Sequence, residues 1–240
     1  NKSFHATVLQ CIQSVDQTCC ALTERIHCRQ AHFAFDVRQI RNRIIFRQVL
    51  GVHGNADNLS GASQATDGLA EAGFGVLLLE YRGYGGNPGT PGEKGFYRDG
   101  RAALAWLKDM GYSEEKIVLV GNSIGSGTAV QLATEIDPLA LILVSPLSSV
   151  PDVAAEQAGF LPVRMLLRHR FANVEKIGNL TMPILMQHGT DDRVVPFSHS
   201  QRMADLAKDV TLEEFAGAGH ELAYRPEAQA AQVRWLGWHQ

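Results

Sequence analysis

The chain has 240 residues, with 22 Lys and Arg against 25 Asp and Glu, a formal net charge of −3 and a hydrophobic content of 45%. A chain of this length buries roughly 70–75% of its unfolded surface and needs no disulfide or metal to fold. The slightly acidic balance gives no electrostatic reason to expect nucleic acid, which usually requires a basic face. No apolar run approaches the roughly 20 residues that span a bilayer. We therefore expect a soluble globular domain with no nucleic-acid partner and no integral membrane segment.

The first 43 residues differ in composition from the rest of the chain. They contain no Gly and no Pro, whereas all 23 Gly and all nine Pro follow residue 50. Alternating apolar residues at Phe33, Phe35 and Val37 indicate one β-strand. We therefore predict an atypical N-terminal segment over residues 1–43, made of edge strands or an extension, and a larger domain over residues 44–240.

All four cysteines lie in the N-terminal segment, at Cys11, Cys19, Cys20 and Cys28. Their spacing differs from the closely spaced cysteine pairs of zinc modules, so no metal site is predicted. Residues 1–15 also lack the charged head and apolar middle of a signal peptide. The rest of the chain is free of cysteine, which fits a reducing compartment and favours a cytoplasmic location.

After residue 43 the chain alternates between short apolar runs and stretches with helical periodicity. Strands are predicted at Ile44–Val52, Gly75–Leu79, Lys116–Val120, Leu139–Val144, Pro183–Gln187 and Val210–Phe215. Helices are predicted at about Ser60–Ala72, Asp99–Met110, Ile124–Ile136, Ser198–Leu206 and Pro226–Trp238. The apolar runs suit strands that are buried on both faces of a mostly parallel sheet. The functional groups of such a sheet lie on loops at the carboxyl ends of its strands.

The third of these strands runs directly into Gly-Asn-Ser-Ile-Gly, with Ser123 at its centre. A Gly-x-Ser-x-Gly motif between a strand and a helix forms a sharp turn that lifts the serine hydroxyl clear of the sheet. Gly121 and Gly125 lack the Cβ atoms that would clash in such a turn. The alternative is a glycine-rich helix start in which Ser123 is an ordinary capping residue. The strand before the motif and the helix after it favour a nucleophile.

A nucleophilic serine needs a base, and the base needs an acid that orients it. Asp191 and Asp192 follow the fifth strand and His220 follows the sixth, so all three arrive at the same sheet edge as Ser123. The spacing leaves both aspartates open as the acid. The other histidines have other assignments: His5, His27, His32 and His239 lie outside the core pattern, His169 and His199 resemble helix-surface residues, and His53 and His188 suit structural hydrogen bonds.

A third element follows the first strand, where the chain reads Val-His-Gly-Asn-Ala. Gly54 allows the backbone to turn so that the amide of Asn55 points toward the nucleophile. Together with the amide of Ile124, it would form an oxyanion hole with two donors. The alternative is a simple turn that ends the strand, because the residue types alone do not show where a backbone amide points.

Five motifs, in this order, resemble the serine α/β-hydrolase superfamily. They are residues 53–56, residues 80–85, residues 121–125, the segment with Asp192 before Val195 and Pro196, and Gly219 with His220. The Tyr-Arg-Gly-Tyr-Gly loop and the Pro-Gly-Glu-Lys-Gly turn are most similar to the small, nearly lidless branch of α/β-hydrolase domain-containing esterases. The resemblance covers about residues 45–240. It departs over residues 1–43, which lack the Gly- and Asp-rich turn of the family.

The resemblance implies an α/β-hydrolase fold, with a mostly parallel twisted sheet, helices on both faces and a minimal cap at about residues 145–182. It implies Ser123 as nucleophile, His220 as base and Asp192 as triad acid, because the acid of that branch stands three residues before Val-Pro. Tyr84 is implied to bind substrate, and no cofactor is implied. Residues 44–240 would then be the catalytic domain.

The function expected from these features is that of a serine esterase acting through an acyl-enzyme on a small-molecule ester. Because the cap is short, it can form a wall but no deep acyl tunnel, which favours short acyl chains. A peptidase or amidase, an acyl-thioesterase and a non-catalytic binding module stay open as alternatives. A metal hydrolase built on His53, Asp57, His188 and Asp192 lacks the His-Glu-x-x-His spacing or a similar one. No feature indicates an oligomeric state.

Overall fold

The computed structural model of the chain describes residues 24–28, 33–38, 48–52, 59–158 and 167–238. Eight strands within these ranges form one sheet in the order β1-β2-β4-β3-β5-β6-β7-β8. The strands are β1 (Glu24–Cys28), β2 (Phe33–Arg38), β3 (Gln48–Val52), β4 (Gly75–Glu80), β5 (Ile117–Asn122), β6 (Ala140–Val144), β7 (Ile184–Gly189) and β8 (Val210–Phe215). Strands β3 to β8 are parallel to one another, which confirms the mostly parallel α/β sheet.

Seven α-helices lie in the described part of the chain. They are α1 (Leu59–Gln64), α2 (Asp67–Glu71), α3 (Glu93–Asp109), α4 (Gly125–Ala133), α5 (Val150–Ala158), α6 (Ser198–Ala204) and α7 (Pro226–Trp238). The single helix predicted at 60–72 is wrong, since α1 ends at Gln64 and α2 begins at Asp67. Between them the Thr66 hydroxyl donates to the carbonyl oxygens of Ala62 and Ser63, which competes with the hydrogen bonds of a continuous helix. None of these helices is long and apolar enough to cross a bilayer.

The register of the parallel strands brings their carboxyl ends together at one edge of the sheet. Val52, at the end of β3, pairs with Gly121 of β5, and Asn122 pairs with Val144 at the end of β6. Further along the same edge, β7 and β8 pair up to their last residues. Loops that leave β3, β5, β7 and β8 therefore meet at this edge, where an open α/β sheet places its site.

The sheet separates two hydrophobic clusters, one on each face. Within β5, Leu119 packs into one cluster and its neighbour Val118 into the other, and both side chains are fully buried. Burying an aliphatic side chain of this size stabilises the fold by about 1.5–3 kcal/mol. The buried runs thus form strands covered on both faces, and they provide a rigid support for the loops at the carboxyl edge.

Two strands from the N-terminal segment extend the sheet. The strand predicted from Phe33, Phe35 and Val37 is present as β2, which pairs antiparallel with both β1 and β4. The division of the chain at residue 43 stays a prediction. Cys11, Cys19 and Cys20 lie outside the described residues.

Candidate active site

Ser123 lies in the sharp turn between β5 and α4. Its φ is +52°, a left-handed conformation that residues other than glycine rarely adopt. Its amide donates to the carbonyl oxygen of Val144 at 2.9 Å, which ties the turn to the neighbouring strand. A Cβ on Gly121 would stand 2.8 Å from the Cα of Ser126 and from the Cβ of Ala129. Glycine is therefore required before the serine, and the backbone has the strain that the motif predicts.

Ile124 precedes the first residue of α4, and its amide has no acceptor within the described ranges. The first amides of a helix carry partial positive charge, so this end of α4 favours a negative charge beside Ser123. Asn55, the second predicted oxyanion donor, lies outside the described residues and stays a prediction.

His220 contacts both Ser123 and Asp192. Its Nε2 lies 2.9 Å from the Oγ of Ser123, and its Nδ1 lies 2.7 Å from Oδ2 of Asp192. The His220 side chain is 27% exposed, whereas that of Asp192 is fully buried. When Nδ1–H donates to the carboxylate, Nε2 is left as the nitrogen that can accept the serine proton. The structure therefore aligns a hydroxyl, an imidazole and a carboxylate in the order that general-base catalysis requires.

Asp192 is held as a carboxylate by several donors. Its Oδ1 accepts the amides of Val194 and Val195, both at 2.9 Å. Burial raises the pKa of Asp192, but hydrogen bonds from His188, His220 and the Val195 amide outweigh it and hold the pKa well below its usual range. The carboxylate is therefore ionised throughout the neutral range and can favour a positive charge on the adjacent imidazole.

Asp191, the other candidate for the acid, points away from this line of hydrogen bonds. Its side chain is exposed, and the hydroxyl of Thr190 lies 3.4 Å from its Oδ1. The structure thus brings Asp192, and not Asp191, against His220.

His188 is a second histidine that contacts Asp192. It is fully buried, and its Nδ1 lies 2.6 Å from the Oγ of Ser200. Its Nε2 lies 2.8 Å from the carbonyl oxygen of Val195 and 3.3 Å from Oδ2 of Asp192. Because both ring nitrogens are engaged, His188 has the structural role that the sequence predicts. The other residues of the metal-hydrolase alternative, His53 and Asp57, lie outside the described ranges.

The loops that carry Asp192 and His220 are joined to each other by backbone hydrogen bonds. The amide of Asp191 donates to the carbonyl oxygen of Ala218 at 3.0 Å. A Cβ on Gly189 would stand 2.2 Å from that same carbonyl oxygen, so only glycine allows the two loops to approach so closely. Gly189 therefore allows the close approach of the loops that carry Asp192 and His220, a role that its place at the end of a strand could have suggested.

Tyr84 lies half-buried in the loop between β4 and α3. Its ring packs edge-on against Tyr81 and Phe96, with centroid distances of 6.3 and 5.9 Å, and burial raises its pKa. Arg82 fixes the same loop, because its Nε donates to the buried Asp99 carboxylate at 3.0 and 3.1 Å. These contacts give Tyr84 a packing role, and its contact with substrate stays a prediction.

The placement of His199 on a helix surface is wrong. His199 is fully buried, and its Nδ1 accepts the amide of Ser148 at 3.2 Å and lies 2.8 Å from the Ser148 hydroxyl. Its Nε2 lies 3.2 Å from Oε2 of Glu156, and a guanidinium nitrogen of Arg202 lies 3.1 Å from its Nδ1. Helical periodicity could not reveal this burial, since Ser148 and Glu156 come from a distant segment that covers α6. His169 is exposed as expected, but it lies outside any helix.

We expect His199 to make the protein sensitive to acid. Burial, with a smaller contribution from Arg202, lowers its pKa despite the nearby carboxylates of Glu156 and Asp152. The unfolded chain, with an ordinary histidine pKa of about 6.5, therefore takes up the proton first as the pH falls. Stability from neutral His199 is complete above that pH and is lost as the pH falls toward the lower folded-state pKa. The melting temperature should consequently fall more between pH 7.5 and 5.0 in the parent than in His199→Asn. An equal fall in both proteins would contradict this assignment.

The chain matches the family model described as serine aminopeptidase, S33, over residues 45–174 and 162–227. It is 38% identical over 174 residues to an uncharacterized protein of Mycobacterium tuberculosis, covering 72% of this chain and 62% of that protein. It is 35% identical over 171 residues to human alpha/beta hydrolase domain-containing protein 17B, covering 70% of this chain and 58% of the human protein. The chain thus spans less than two thirds of the length of either relative.

A solved structure shares the fold. The monoacylglycerol lipase of Paleococcus ferrophilus superimposes with a TM-score of 0.64 at 22% identity, covering 87% of this chain and 99% of the lipase. At this level of identity the similarity shows the fold alone. It confirms the α/β-hydrolase architecture expected from the motifs.

Proposed function

This chain belongs to the serine α/β-hydrolase superfamily, and we propose that it hydrolyses carboxylic esters through Ser123, His220 and Asp192. The observation that carries the proposal is the continuous line of hydrogen bonds from Ser123 Oγ through His220 to the Asp192 carboxylate. A strained serine, a partly exposed imidazole and a buried carboxylate in one line are the parts that activate a hydroxyl for acyl transfer. The structural neighbour is named as a lipase, a class of enzyme that cleaves esters on this fold.

In the proposed acylation, Nε2 of His220 takes the Ser123 proton while Oγ bonds to the ester carbonyl carbon. The carbonyl electron pair moves to oxygen, and the amides of Ile124 and Asn55 stabilise the resulting oxyanion. His220 then protonates the departing alcohol as its C–O bond breaks, which leaves the acyl group on Ser123. Water, activated by His220, repeats both steps and releases the carboxylic acid with the free enzyme. Asp192 holds the imidazole tautomer and stabilises its charge throughout.

Short acyl chains should react faster than long ones, because the cap between β6 and β7 is limited to about residues 145–182 and can form only a wall. We expect chains of roughly four to six carbons to fit best. The kcat/KM for p-nitrophenyl butyrate should exceed that for p-nitrophenyl palmitate at least about tenfold, which corresponds to about 1.4 kcal/mol in transition-state binding. Initial rates below the critical micelle concentration of the palmitate ester measure this ratio.

The same assay separates the other activities that this site could support. A butyryl anilide that is cleaved faster than the ester would favour a peptidase or amidase, and the family description names one such activity, that of a serine aminopeptidase. A butyryl thioester that is cleaved faster would favour an acyl-thioesterase. Faster cleavage of palmitate than butyrate would contradict the preference for short chains, and no turnover of any substrate would favour a binding module. Protein with Ser123→Ala provides the background rate.

A further inference from the structure

Residues 170–174 lead from the cap back to the sheet, and this returning segment packs directly on the first turn of α4. Asn173, in this segment, is fully buried, and its Nδ2 donates to the Oγ of Ser126 at 3.0 Å and to the carbonyl oxygen of Leu147 at 2.9 Å. A carbonyl oxygen can only accept, which fixes the amide nitrogen on this side. Its Oδ1 has no hydrogen-bond partner among the described residues, so the side chain is held through its nitrogen alone.

Phe171 makes a second contact with the same turn. It is 2% exposed and has a φ of +42°, a conformation that a bulky residue adopts only when its surroundings hold it there. Its ring lies so close to Gly127 that a Cβ there would stand 2.4 Å from Cδ1 of Phe171. The close packing of ring and helix therefore depends on glycine at this position of α4.

Glu93 holds the returning segment in place from the other side. Its carboxylate accepts the amides of Arg170 at 2.8 Å and Phe171 at 3.1 Å, and also the hydroxyl of Tyr97 at 2.8 Å. The carbonyl oxygen of Arg170 in turn accepts the amide of Val150 at 2.8 Å. Helix α3, the cap and α4 are thus joined through five consecutive residues of the returning segment, 170–174.

Two residues of α4 that this segment contacts, Ser126 and Gly127, also close the turn around the nucleophile. The amide of Ser126 donates to the carbonyl oxygen of Ser123, and the amide of Gly127 donates to that of Ile124, each at 3.0 Å. A shift of Ser126 or Gly127 would therefore be transmitted to the serine hydroxyl and to the Ile124 amide. Displacements near 1 Å at a reacting group can cost about 10²-fold in rate.

We infer that Asn173 is a positioning residue for the nucleophile: it holds the first turn of α4, on which Phe171 packs, so that Ser123 and the Ile124 amide keep their reactive geometry. The inference rests on the proposed function, since it assigns a role to this residue in the same site. It also gives the short cap a second role besides forming a wall, because the returning segment belongs to the cap and holds the nucleophile in position. No sequence motif marks Asn173, because it acts through contacts with distant parts of the chain.

The test compares Asn173→Ala and Ser126→Ala with the parent, using kcat and KM for p-nitrophenyl butyrate and the rate of fluorophosphonate labelling of Ser123. We expect each variant to lower kcat and the labelling rate about 10- to 100-fold, with KM changed by less than about twofold. The double variant should lose little more than either single one, because both remove the same hydrogen bond. The matched control is Glu175→Gln, which removes an exposed ion pair with Arg170 two residues from Asn173 and should leave both rates unchanged.

A purely structural role predicts a different result. The variants would then melt at a lower temperature, but well below that temperature their kcat and labelling rate would stay within about twofold of the parent, which would overturn the inference. If Asn173→Ala fails to fold, Ser126→Ala decides, since it removes one oxygen and leaves Asn173 its bond to Leu147. A folded parent that shows neither turnover nor labelling would overturn the proposed function and this inference together. An active parent with unaffected variants overturns the inference alone.

Discussion

Replacing Ser123 with alanine should lower kcat for p-nitrophenyl butyrate by a factor on the order of 10⁵–10⁶. The hydroxyl is the atom that forms the acyl-enzyme, and within the described contacts its partner is Nε2 of His220. The substitution removes no core packing, so the melting temperature should stay within a few degrees of the parent. Steady-state kinetics and thermal unfolding monitored by circular dichroism measure the two effects.

Ser113→Ala provides the control for the loss of a serine hydroxyl. Its side chain donates to Glu115 in an exposed hydrogen bond, far along the chain from the motif, and the variant should keep full activity. If the Ser123 variant retained more than about a hundredth of the parent kcat, a nucleophilic Ser123 would be ruled out.

Replacing Asp192 with asparagine should lower kcat by about 10⁴-fold. Asparagine has one accepting oxygen and one donating nitrogen in place of the two accepting oxygens of the carboxylate. An amide nitrogen that faces His220 stabilises the wrong imidazole tautomer, and a neutral side chain no longer stabilises the charge of the imidazolium. The amides of Val194 and Val195 would also lose a charged acceptor, since both donate to Oδ1 of Asp192. Kinetics with p-nitrophenyl butyrate, together with the melting temperature, separate the loss of catalysis from a loss of stability.

Asp191→Asn is the matched control, because it makes the same chemical change one residue earlier. Asp191 is exposed, and its carboxylate lies outside the line of hydrogen bonds to His220, so its variant should keep kcat within about twofold. A large loss in the Asp191 variant with little loss in the Asp192 variant would reverse the assignment of the acid.

Much of the fold can be predicted from the sequence because the central strands β4, β5 and β6 are mostly apolar and are bounded by turn residues. The helix Pro226–Trp238 lies where the pattern predicts it, since proline is favoured at the first helical position. The split between α1 and α2 escapes prediction, because the two hydrogen bonds of the Thr66 hydroxyl at that point leave no mark in the apolar pattern. The true start of α3 at Glu93 also escapes, because Gly92 provides no side-chain cap and Gly95, a poor helix former, lies in the first turn.

The placement of Ser123, Asp192 and His220 follows from local signals. Each stands in the loop that follows a strand, and the order of the strands in the sheet brings the three loops together. The choice between Asp191 and Asp192 needs the resemblance or the structure, because both aspartates lie on the same loop and only the side-chain direction separates them.

Residues that act through distant contacts cannot be found in this way. Asn173 meets Ser126 across 47 positions of the chain, and His199 meets Ser148 across 51. Neither pair has a characteristic spacing, so only the folded chain reveals that these side chains are buried and paired. Asn55 belongs to a third group, since it lies outside the described residues and its role rests on the sequence alone.

The most direct test of a serine hydrolase centred on Ser123 is to treat the purified protein with a fluorophosphonate probe and to locate the adduct by peptide mass spectrometry. Turnover of p-nitrophenyl butyrate is followed in the same sample. We predict one adduct, on Ser123, with activity lost in proportion to labelling and no adduct in Ser123→Ala. A folded protein that stays unlabelled, or that keeps its turnover while another residue is labelled, would contradict the account.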